Sequence, residues 1–328
     1  MKNIKLQNLI STALGAIALT GALFTHTAHA AWPDKPVTLI APFAPGGSTD
    51  MLARVIAQAL SEELKQPVVV SNKGGAGGTL GASLAAKSPA DGYTVLLSNV
   101  TLTSAGVAYS KLPYDIVTDF DHVVYLGASP CVVVSSKHLP VNNVKEFIDY
   151  LKARPNKLHY GSSGIGAASH LCGQSFLTAG GFKADHVPYR GAGPMMVDVI
   201  AGNLDFAVDT AGSASSQIKG GNVRGLAVTS DNRIELLSDL PTLKESGVPF
   251  EMSIWYGLVT PKGTPADAQK RLYEATNKAL ENPKVKEAYK TLGLSLDKKI
   301  EPGKFVDLVK SDQIRWTDIS KSAGISPE

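Results

Sequence analysis

The chain has little net charge for its size. Its 328 residues include 32 Lys or Arg and 29 Asp or Glu, so the formal net charge at pH 7 is only +3. Proteins that bind nucleic acid through its phosphates usually present a strongly basic surface. The low charge therefore argues against nucleic acid as a partner.

Histidine and glycine do not form the patterns of a metal or dinucleotide site. Beyond residue 30 the chain has five histidines, and none stands at a ligand spacing from another histidine or from a cysteine. The glycine-rich run 164–169 lacks the third glycine of the dinucleotide-binding fingerprint. No metal and no cofactor are therefore expected. The five histidines are His122, His138, His159, His170 and His186.

A single stretch, residues 9–24, is apolar enough to suggest a role in export or in membrane attachment. It falls short of the roughly 20 apolar residues that a membrane span needs. Lysines precede it, and Ala28-His29-Ala30 matches the A-x-A pattern at which signal peptides are cleaved. Residues 1–30 are therefore predicted to be a secretory signal peptide, with a membrane anchor as the alternative.

Cysteine is scarce, since Cys131 and Cys172 are the only two. The chain beyond the signal peptide is long enough to bury a large core without many covalent links. In an exported protein, two cysteines most simply form one disulfide bridge. Two free, buried thiols are the alternative.

The turns that follow the first three predicted strands are small, polar or rich in glycine. They cover residues 41–50, 72–81 and 98–101. In an open α/β sheet such turns meet beyond the carboxyl ends of the strands, where ligands bind. Their amides, together with the positive ends of the helices that follow, suit a carboxylate or a phosphate. Plain connections between strands and helices are the alternative.

The second half of the chain repeats the alternation of strands and helices. The chain leaves the first sheet at residues 119–130 and returns at residues 249–256, which suggests two crossings between two units. We therefore expect an α/β fold with two lobes, each a βα sheet flanked by helices. Lobe 1 would comprise residues 31–128 and 252–328, and lobe 2 residues 129–251.

Ser163, His170 and Asp209 supply the residue types of a nucleophilic triad, which makes a secreted serine hydrolase the alternative function. The nucleophile-elbow pattern G-x-S-x-G fails, because Ile165 stands where its second glycine would be. His170 also follows Ser163 within the same turn, whereas the elbow fold brings its histidine from a distant loop. The sequence therefore favours a protein that closes on an anionic ligand without transforming it.

Several motifs together resemble the Bug (TctC) family, the extracytoplasmic solute receptors of tripartite tricarboxylate transporters. The resemblance implies a periplasmic-binding-protein (Venus flytrap) fold, a monomer located in the periplasm, and delivery of the ligand to the transporter's membrane subunits. It also implies a carboxylated ligand, which could be a di- or tricarboxylate, an acidic amino acid or an aromatic acid. The motifs are Pro42–Asp50, Asn72–Gly78, Gly161–Gly166 with His170, Pro188–Gly191, and Trp255–Gly257 with Pro261–Pro265.

The resemblance also assigns ligand-binding residues. In the first lobe it implies Phe43, Gly46, Gly47 and Asp50, with Gly77 and Thr101 beside them. In the second lobe it implies Ser163, Ala167, Ser169 and His170, with Tyr189, Gly191 and Asp209 at the rim. Which carboxylate they bind is left open, because the shape of the cleft beyond these motifs is not readable from the sequence.

Overall fold

The computed structural model describes residues 32–296 and 300–322. The predicted signal peptide, residues 1–30, lies outside the described residues. Strands and helices alternate through most of the described chain, as the sequence predicts, and the strands form one continuous mixed sheet of nine strands.

The strands are β1 (Val37–Ala41), β2 (Val68–Asn72), β3 (Thr94–Asn99), β4 (Phe120–Ser135), β5 (His159–Ser162), β6 (Asp185–Pro188), β7 (Phe206–Thr210), β8 (Arg224–Val228) and β9 (Ser253–Pro261). The helices are α1 (Ser48–Leu64), α2 (Thr79–Ala86), α3 (Val100–Ala108), α4 (Val144–Lys152), α5 (Ala168–Gly180), α6 (Ala192–Ala201), α7 (Ala211–Lys219), α8 (Ala266–Leu280), α9 (Pro283–Leu292) and α10 (Pro302–Ser322).

The sheet has two halves that share the long strand β4. In the first half, β1 lies parallel between β2 and β3, and β9 runs antiparallel beside β3. In the second half, β5 lies parallel between β6 and β7, and both β7 and β8 run antiparallel to β4. Each half therefore has its own set of parallel strands whose carboxyl ends carry turns into helices.

The two halves are joined by two antiparallel strands. β4 has 16 residues, and its Phe120–Pro130 part pairs with β9, whereas its Cys131–Ser135 part pairs with β7 and β8. The segments expected to cross between lobes thus lie in β4 and at the start of β9. The exact division of the chain into lobes stays a prediction.

The helices at the end of the chain pack back on the first half of the sheet. α8 and α9 lie against α1, and α10 lies against α3 and β4. The apolar face of α1 is buried through Leu52, Ile56 and Leu60, and Phe305 and Trp316 of α10 are buried as well. Burial of apolar surface of this kind is the main stabilising contribution to such a layered fold.

The turn expected at residues 98–101 is instead the junction of β3 and α3. Asn99 is the N-cap of α3, and its side chain accepts a hydrogen bond of 3.0 Å from the Thr101 amide. This cap satisfies one of the free amides at the start of a helix, so the chain winds directly from the strand into α3.

Cys131 and Cys172 are joined by a disulfide bridge in the structure. Cys131 follows the part of β4 that pairs with β9, and Cys172 lies in α5. The bridge therefore ties helix α5 to the strand that connects the two halves.

Candidate functional site

A small cleft, partly open to solvent, lies where the two halves of the sheet meet. Turns from both halves and the crossing strand β9 line it. Its lining consists of Phe43, Ala44, Gly47, Ser48, Thr49, Asn99, Thr101, Ser163, Ala168, Ser169, Ala192, Asp209, Thr210, Ile254 and Tyr256.

Five helices begin at this cleft. The lining includes the first residues of α1, α5 and α6, the residue before α3 and the second residue of that helix, and the residue that precedes α7. The first amides of a helix lack partners within the helix, and the helix dipole places partial positive charge at the same end. Because five such ends converge, the cleft attracts an anion without any basic side chain in its lining.

The residues that precede three of these helices have no side-chain acceptor. Gly47 precedes α1, Ala167 precedes α5 and Gly191 precedes α6. Serine, threonine, aspartate or asparagine at these positions would occupy a first-turn amide by capping it. Glycine and alanine cannot cap these amides, although the first amide of α5, that of Ala168, donates to Thr101 Oγ1.

Hydrogen bonds cross the cleft between the two halves. The Ser48 and Thr210 hydroxyl oxygens are 2.6 Å apart, and the Ala168 amide donates to Thr101 Oγ1 at 2.9 Å. All four residues are largely buried. These contacts describe a closed cleft, because an open one would separate both pairs.

Backbone segments also approach each other closely across the cleft. A Cβ atom added to Gly77 would lie 2.5 Å from the carbonyl oxygen of Ile165, and one added to Gly191 would lie 3.3 Å from the Cβ atom of Ala44. Gly77 also has φ +61°, which favours glycine. A side chain at Gly77 would obstruct the closed arrangement, and one at Gly191 would crowd the Ala44 side chain.

Asp209 lies on the floor of the cleft rather than at its rim, where it was expected. Asp209 is 2% exposed, and its Oδ1 atom accepts a hydrogen bond of 2.8 Å from the Thr210 amide. Its other oxygen, Oδ2, is buried without a hydrogen-bond partner in the described structure. Burial raises the pKa of Asp209 to about 6, although the Ser213 hydroxyl and the Thr210 amide lower it.

Hydroxyl and amide groups surround this floor. The hydroxyls of Thr49 and Ser48 lie within hydrogen-bonding reach of the Tyr256 hydroxyl, and Asn99 Nδ2 donates to Thr49 Oγ1 at 3.4 Å. Burial, with the nearby charge of Asp209, raises the pKa of Tyr256, so this phenol is neutral. The floor therefore offers several hydrogen-bond donors and one carboxyl group.

Two stacked imidazoles hold the turn that leads into α5. The rings of His170 and His186 lie 4.0 Å apart at 14°, and the Gly166 amide donates to His170 Nδ1 at 3.1 Å. His186 Nε2 is 2.6 Å from Ser162 Oγ, which donates to the Gly164 carbonyl. Burial lowers the pKa of His170 to about 4, and burial with the nearby charge of His170 lowers that of His186 to about 3.

Asp50 supports the first turn from behind the cleft. Its carboxylate accepts hydrogen bonds from the Gly46 amide at 3.1 Å and from Asn72 Nδ2 at 2.9 Å, and it pairs with Arg54 at 3.0 Å. Burial would raise the pKa of Asp50, but the bonds from Arg54, Asn72 and Gly46 outweigh it and lower the pKa. Asp50 therefore fixes the conformation of the turn and does not line the cleft.

The residues expected from the sequence fall into two groups. Six of them line the cleft, namely Phe43, Gly47, Thr101, Ser163, Ser169 and Asp209. The others lie in the surrounding turns and helices, namely Gly46, Asp50, Gly77, Ala167, His170, Tyr189 and Gly191. Tyr189, for example, binds Asp198 through its hydroxyl at 2.5 Å. That any of these residues binds a ligand stays a prediction.

Sequence reasoning did not single out nine residues of the lining. Most of these follow the expected turns directly, so the rule that anions bind at helix N-termini could have found them. Ile254 and Tyr256 lie in a crossing strand; the motif Trp255–Gly257 contributed to the family resemblance, but no ligand-binding residue was assigned from it. The nine are Ala44, Ser48, Thr49, Asn99, Ala168, Ala192, Thr210, Ile254 and Tyr256.

The alternative of a serine hydrolase does not match the geometry. Ser163 Oγ is 2.8 Å from Ser169 Oγ, His170 Nδ1 accepts from the Gly166 amide, and Asp209 binds the Thr210 amide. In a catalytic triad the histidine would instead join the serine to the aspartate. The three side chains are therefore engaged separately.

Comparison with known proteins agrees with this geometry. A model of the tripartite tricarboxylate transporter family receptor, TctC, matches residues 52–325. No helix in the described part of the chain combines the length and the apolar character that a membrane span needs.

Solved structures share the fold along nearly the whole described chain. The periplasmic binding protein BugD is 36% identical with a TM-score of 0.86, and covers 90% of this chain and 100% of its own. Rpa4515 of R. palustris, solved with adipate, is 35% identical with a TM-score of 0.87 and the same coverage. MatC of Rhodopseudomonas palustris, with bound malate, is 30% identical with a TM-score of 0.82, and covers 88% of this chain and 100% of its own.

The fold is therefore that of two-lobed periplasmic binding proteins. The family match spans more than half of the sequence, and the three structures are each at least 30% identical to it. The chain belongs to the TctC family of tripartite tricarboxylate transporter receptors.

Proposed function

We propose that this protein is a periplasmic receptor that captures a small carboxylate in the cleft between its two lobes. The observation that carries the proposal is the convergence of five helix N-termini on a cleft whose lining has no basic side chain. Amides and hydroxyls of this kind bind an anionic group by directed hydrogen bonds. The first turns of α1 and α5 would hold the carboxylate through the amides of Ser48, Thr49 and Ser169, since the Ala168 amide is bound to Thr101 Oγ1.

The related structures support a carboxylate over a phosphate. Rpa4515 was solved with adipate and MatC with malate, and both share the fold of this chain. The lining of this cleft contains neither Arg nor Lys. A phosphate with two negative charges is usually bound with the help of such cations, whereas a single carboxylate group needs less compensation.

The protein would release its ligand chemically unchanged to a membrane permease. Ser163, His170 and Asp209 are each bound to other groups, so these three residues do not form an activated nucleophile. Export by the predicted signal peptide would place the receptor, as a monomer, on the periplasmic side of the membrane. The membrane subunits of a tripartite tricarboxylate transporter would then be its protein partners.

The test is a thermal-shift panel with protein that has been unfolded and refolded to remove bound metabolites. The panel includes adipate, malate, citrate, glutamate and benzoate, each paired with its fully esterified methyl ester, which has no carboxylate. A ligand that binds only the native state raises the melting temperature by mass action. We expect at least one acid to do so and its ester not to. Equal shifts with the ester, no shift with any acid, or hydrolysis of an ester would overturn the proposal.

A further inference from the structure

The cleft contains one side chain that bears a formal charge, and its sign is that of the proposed ligand. Among the lining residues, Asp209 is the only Asp, Glu, Lys or Arg. An anion entering the cleft would therefore meet a second negative charge there if Asp209 were ionised. Two like charges that share a buried site repel each other, and this repulsion favours protonation of one of them.

The surroundings of Asp209 compensate its charge only through the Ser213 hydroxyl and the Thr210 amide, which lower its pKa less than burial raises it. The residue is 2% exposed, and only Oδ1 is bound by an amide, that of Thr210. Oδ2 is buried and has no hydrogen-bond partner in the described structure. A protonated carboxyl group gains a donor at this oxygen, and it could use that donor toward an acceptor in the cleft.

Neighbouring groups on the adjacent strands and helices do not supply a counter-charge. Across the sheet, Asp209 is paired with Val132 of β4, and Ser213 of α7 offers only a hydroxyl. Tyr256 of β9 is a buried neutral phenol whose pKa is raised by burial and by Asp209. Asp209 is thus the group on the cleft floor that can change its charge near neutral pH.

The titratable groups deeper in the second half of the sheet do not change their protonation state near neutral pH. Burial lowers the pKa of His170 on α5 to about 4, and burial with the nearby charge of His170 lowers that of His186 on β6 to about 3. Burial raises the pKa of Tyr160 on β5. Asp198 on α6 is bound to Tyr189 and does not line the cleft. Of Asp209 and these groups, Asp209 is therefore the one that can change its charge between about pH 6.5 and pH 8.

We propose that the receptor takes up one proton together with its carboxylate ligand, and that the buried, unpaired Oδ2 of Asp209 is the atom that carries it. The ligand binds as the ionised carboxylate, and a proton from solvent adds to Asp209, so the closed cleft gains no net charge from a monocarboxylate and one negative charge from a dicarboxylate such as adipate. This inference rests on the proposed function. It adds that a neutral Asp209 serves as a hydrogen-bond donor in the complex.

The proton has a measurable consequence for affinity. Burial already raises the pKa of Asp209 to about 6 in the ligand-free protein, and a bound anion raises it further. Between the free and the bound pKa values, each ligand brings up to one proton with it. Affinity then falls about threefold to tenfold for each unit of rising pH in that interval.

The experiment is isothermal titration of adipate and malate into the full chain at pH 7, in two buffers with different enthalpies of ionisation. Proton uptake appears as a difference in observed heat between the buffers. We expect about half to one proton per ligand bound. We also expect affinity to fall about threefold to tenfold for each pH unit between pH 6.5 and pH 8. Both probes are fully ionised in this range, so they do not contribute protons themselves.

Two variants test whether Asp209 is the group that takes up the proton. Asp209→Asn has no titratable group at this position, so we expect its proton uptake to vanish and its affinity to become independent of pH. Asp149→Asn is the matched control, because Asp149 is an exposed residue of α4. It should retain both the uptake and the pH dependence of the wild type. Circular dichroism establishes that each variant is folded, and the wild-type titration needs no variant at all.

The outcomes separate this inference from the proposed function. Binding of adipate or malate with the same heat in both buffers and constant affinity would overturn the proton uptake and leave the carboxylate receptor intact. Uptake that persists in Asp209→Asn would overturn the assignment to Asp209. A failure of both probes and of every other carboxylate in the panel to bind would overturn the proposed function, and this inference with it.

Discussion

The hydroxyl oxygens of Ser48 and Thr210 lie 2.6 Å apart across the cleft, although 162 residues separate them in the sequence. Ser48 is the first residue of α1, and Thr210 directly precedes α7. The hydrogen bond therefore joins two helix N-termini from opposite halves of the molecule. It forms only when the cleft is closed, so its free energy contributes to closure rather than to the folding of either half.

Removing this bond should weaken ligand binding more than it lowers stability. A neutral hydrogen bond contributes about 0.5–1.5 kcal/mol, so Thr210→Val should reduce affinity about threefold to tenfold by disfavouring the closed state. Ser216→Ala is the matched control, because Ser216 is exposed on the same helix α7. Calorimetric titration gives the affinity. An unchanged affinity in Thr210→Val would show that this contact does not contribute to closure.

Gly77→Ala should obstruct closure by steric overlap. The added Cβ atom would lie 2.5 Å from the Ile165 carbonyl oxygen, closer than such atoms can approach. Gly181→Ala is the control. Gly181 has nearly the same φ as Gly77, +65° against +61°, but a Cβ atom added there would meet no other atom within 4 Å. Both variants carry similar backbone strain of about 1 kcal/mol.

We expect only Gly77→Ala to lose ligand affinity, by tenfold or more, while both variants unfold at similar temperatures. Small-angle scattering without ligand should also show a more open molecule for Gly77→Ala. Equal affinities in the two variants would argue against a close approach of the two halves in the bound state.

The stacked histidines should make stability depend on pH. Burial holds the pKa of His170 at about 4 in the folded protein, against an ordinary value of 6.5. The unfolded chain therefore binds more protons between these two values, and the free energy of unfolding falls as the pH drops from about 6.5 to about 4. For His170 alone, a shift of this size corresponds to about 3 kcal/mol.

Urea unfolding of the wild type and of His170→Phe at pH 7 and pH 4.5 measures this contribution. The variant should be less stable at pH 7, because the Gly166 amide loses its acceptor, but it should lose less stability on acidification. His159→Phe is the control, since His159 is exposed on β5. A pH dependence in His170→Phe as steep as that of the wild type would contradict this explanation.

The disulfide bridge should contribute to the stability of the second half. Cys131 and Cys172 are separated by 41 residues, and closing a loop of this length in the unfolded chain corresponds to about 4 kcal/mol in the chain-entropy model. The double variant Cys131→Ala, Cys172→Ala should therefore unfold at lower urea concentration. A stability equal to that of the wild type would mean that the bridge does not constrain the unfolded chain.

Local patterns explain why much of the fold is predictable from the sequence. Apolar runs followed by helical spacing predict β1 and α1, because both patterns depend on residues near each other in the chain. The expected crossings likewise lie in β4 and β9. The run 98–101 was interpreted wrongly as a turn, since Asn99 caps a helix made of small and apolar residues that carries no clear amphipathic pattern.

The rest of the site depends on contacts between distant segments. Asp209 lies on the cleft floor because β7 is an interior strand between β4 and β5, a position that the sequence alone does not give. Tyr256 reaches the cleft because β9 crosses between the halves. His186 supports the turn before α5 by stacking on His170, and no spacing rule links these two residues.

The most direct test of a carboxylate held by converging helix N-termini is a crystal structure of the protein with adipate or with the strongest acid of the panel. We expect one carboxylate group of the ligand to accept hydrogen bonds from first-turn amides of both α1 and α5, within a closed cleft. A ligand bound outside this cleft, or one whose carboxylate is held by Lys or Arg side chains instead of these amides, would contradict the account.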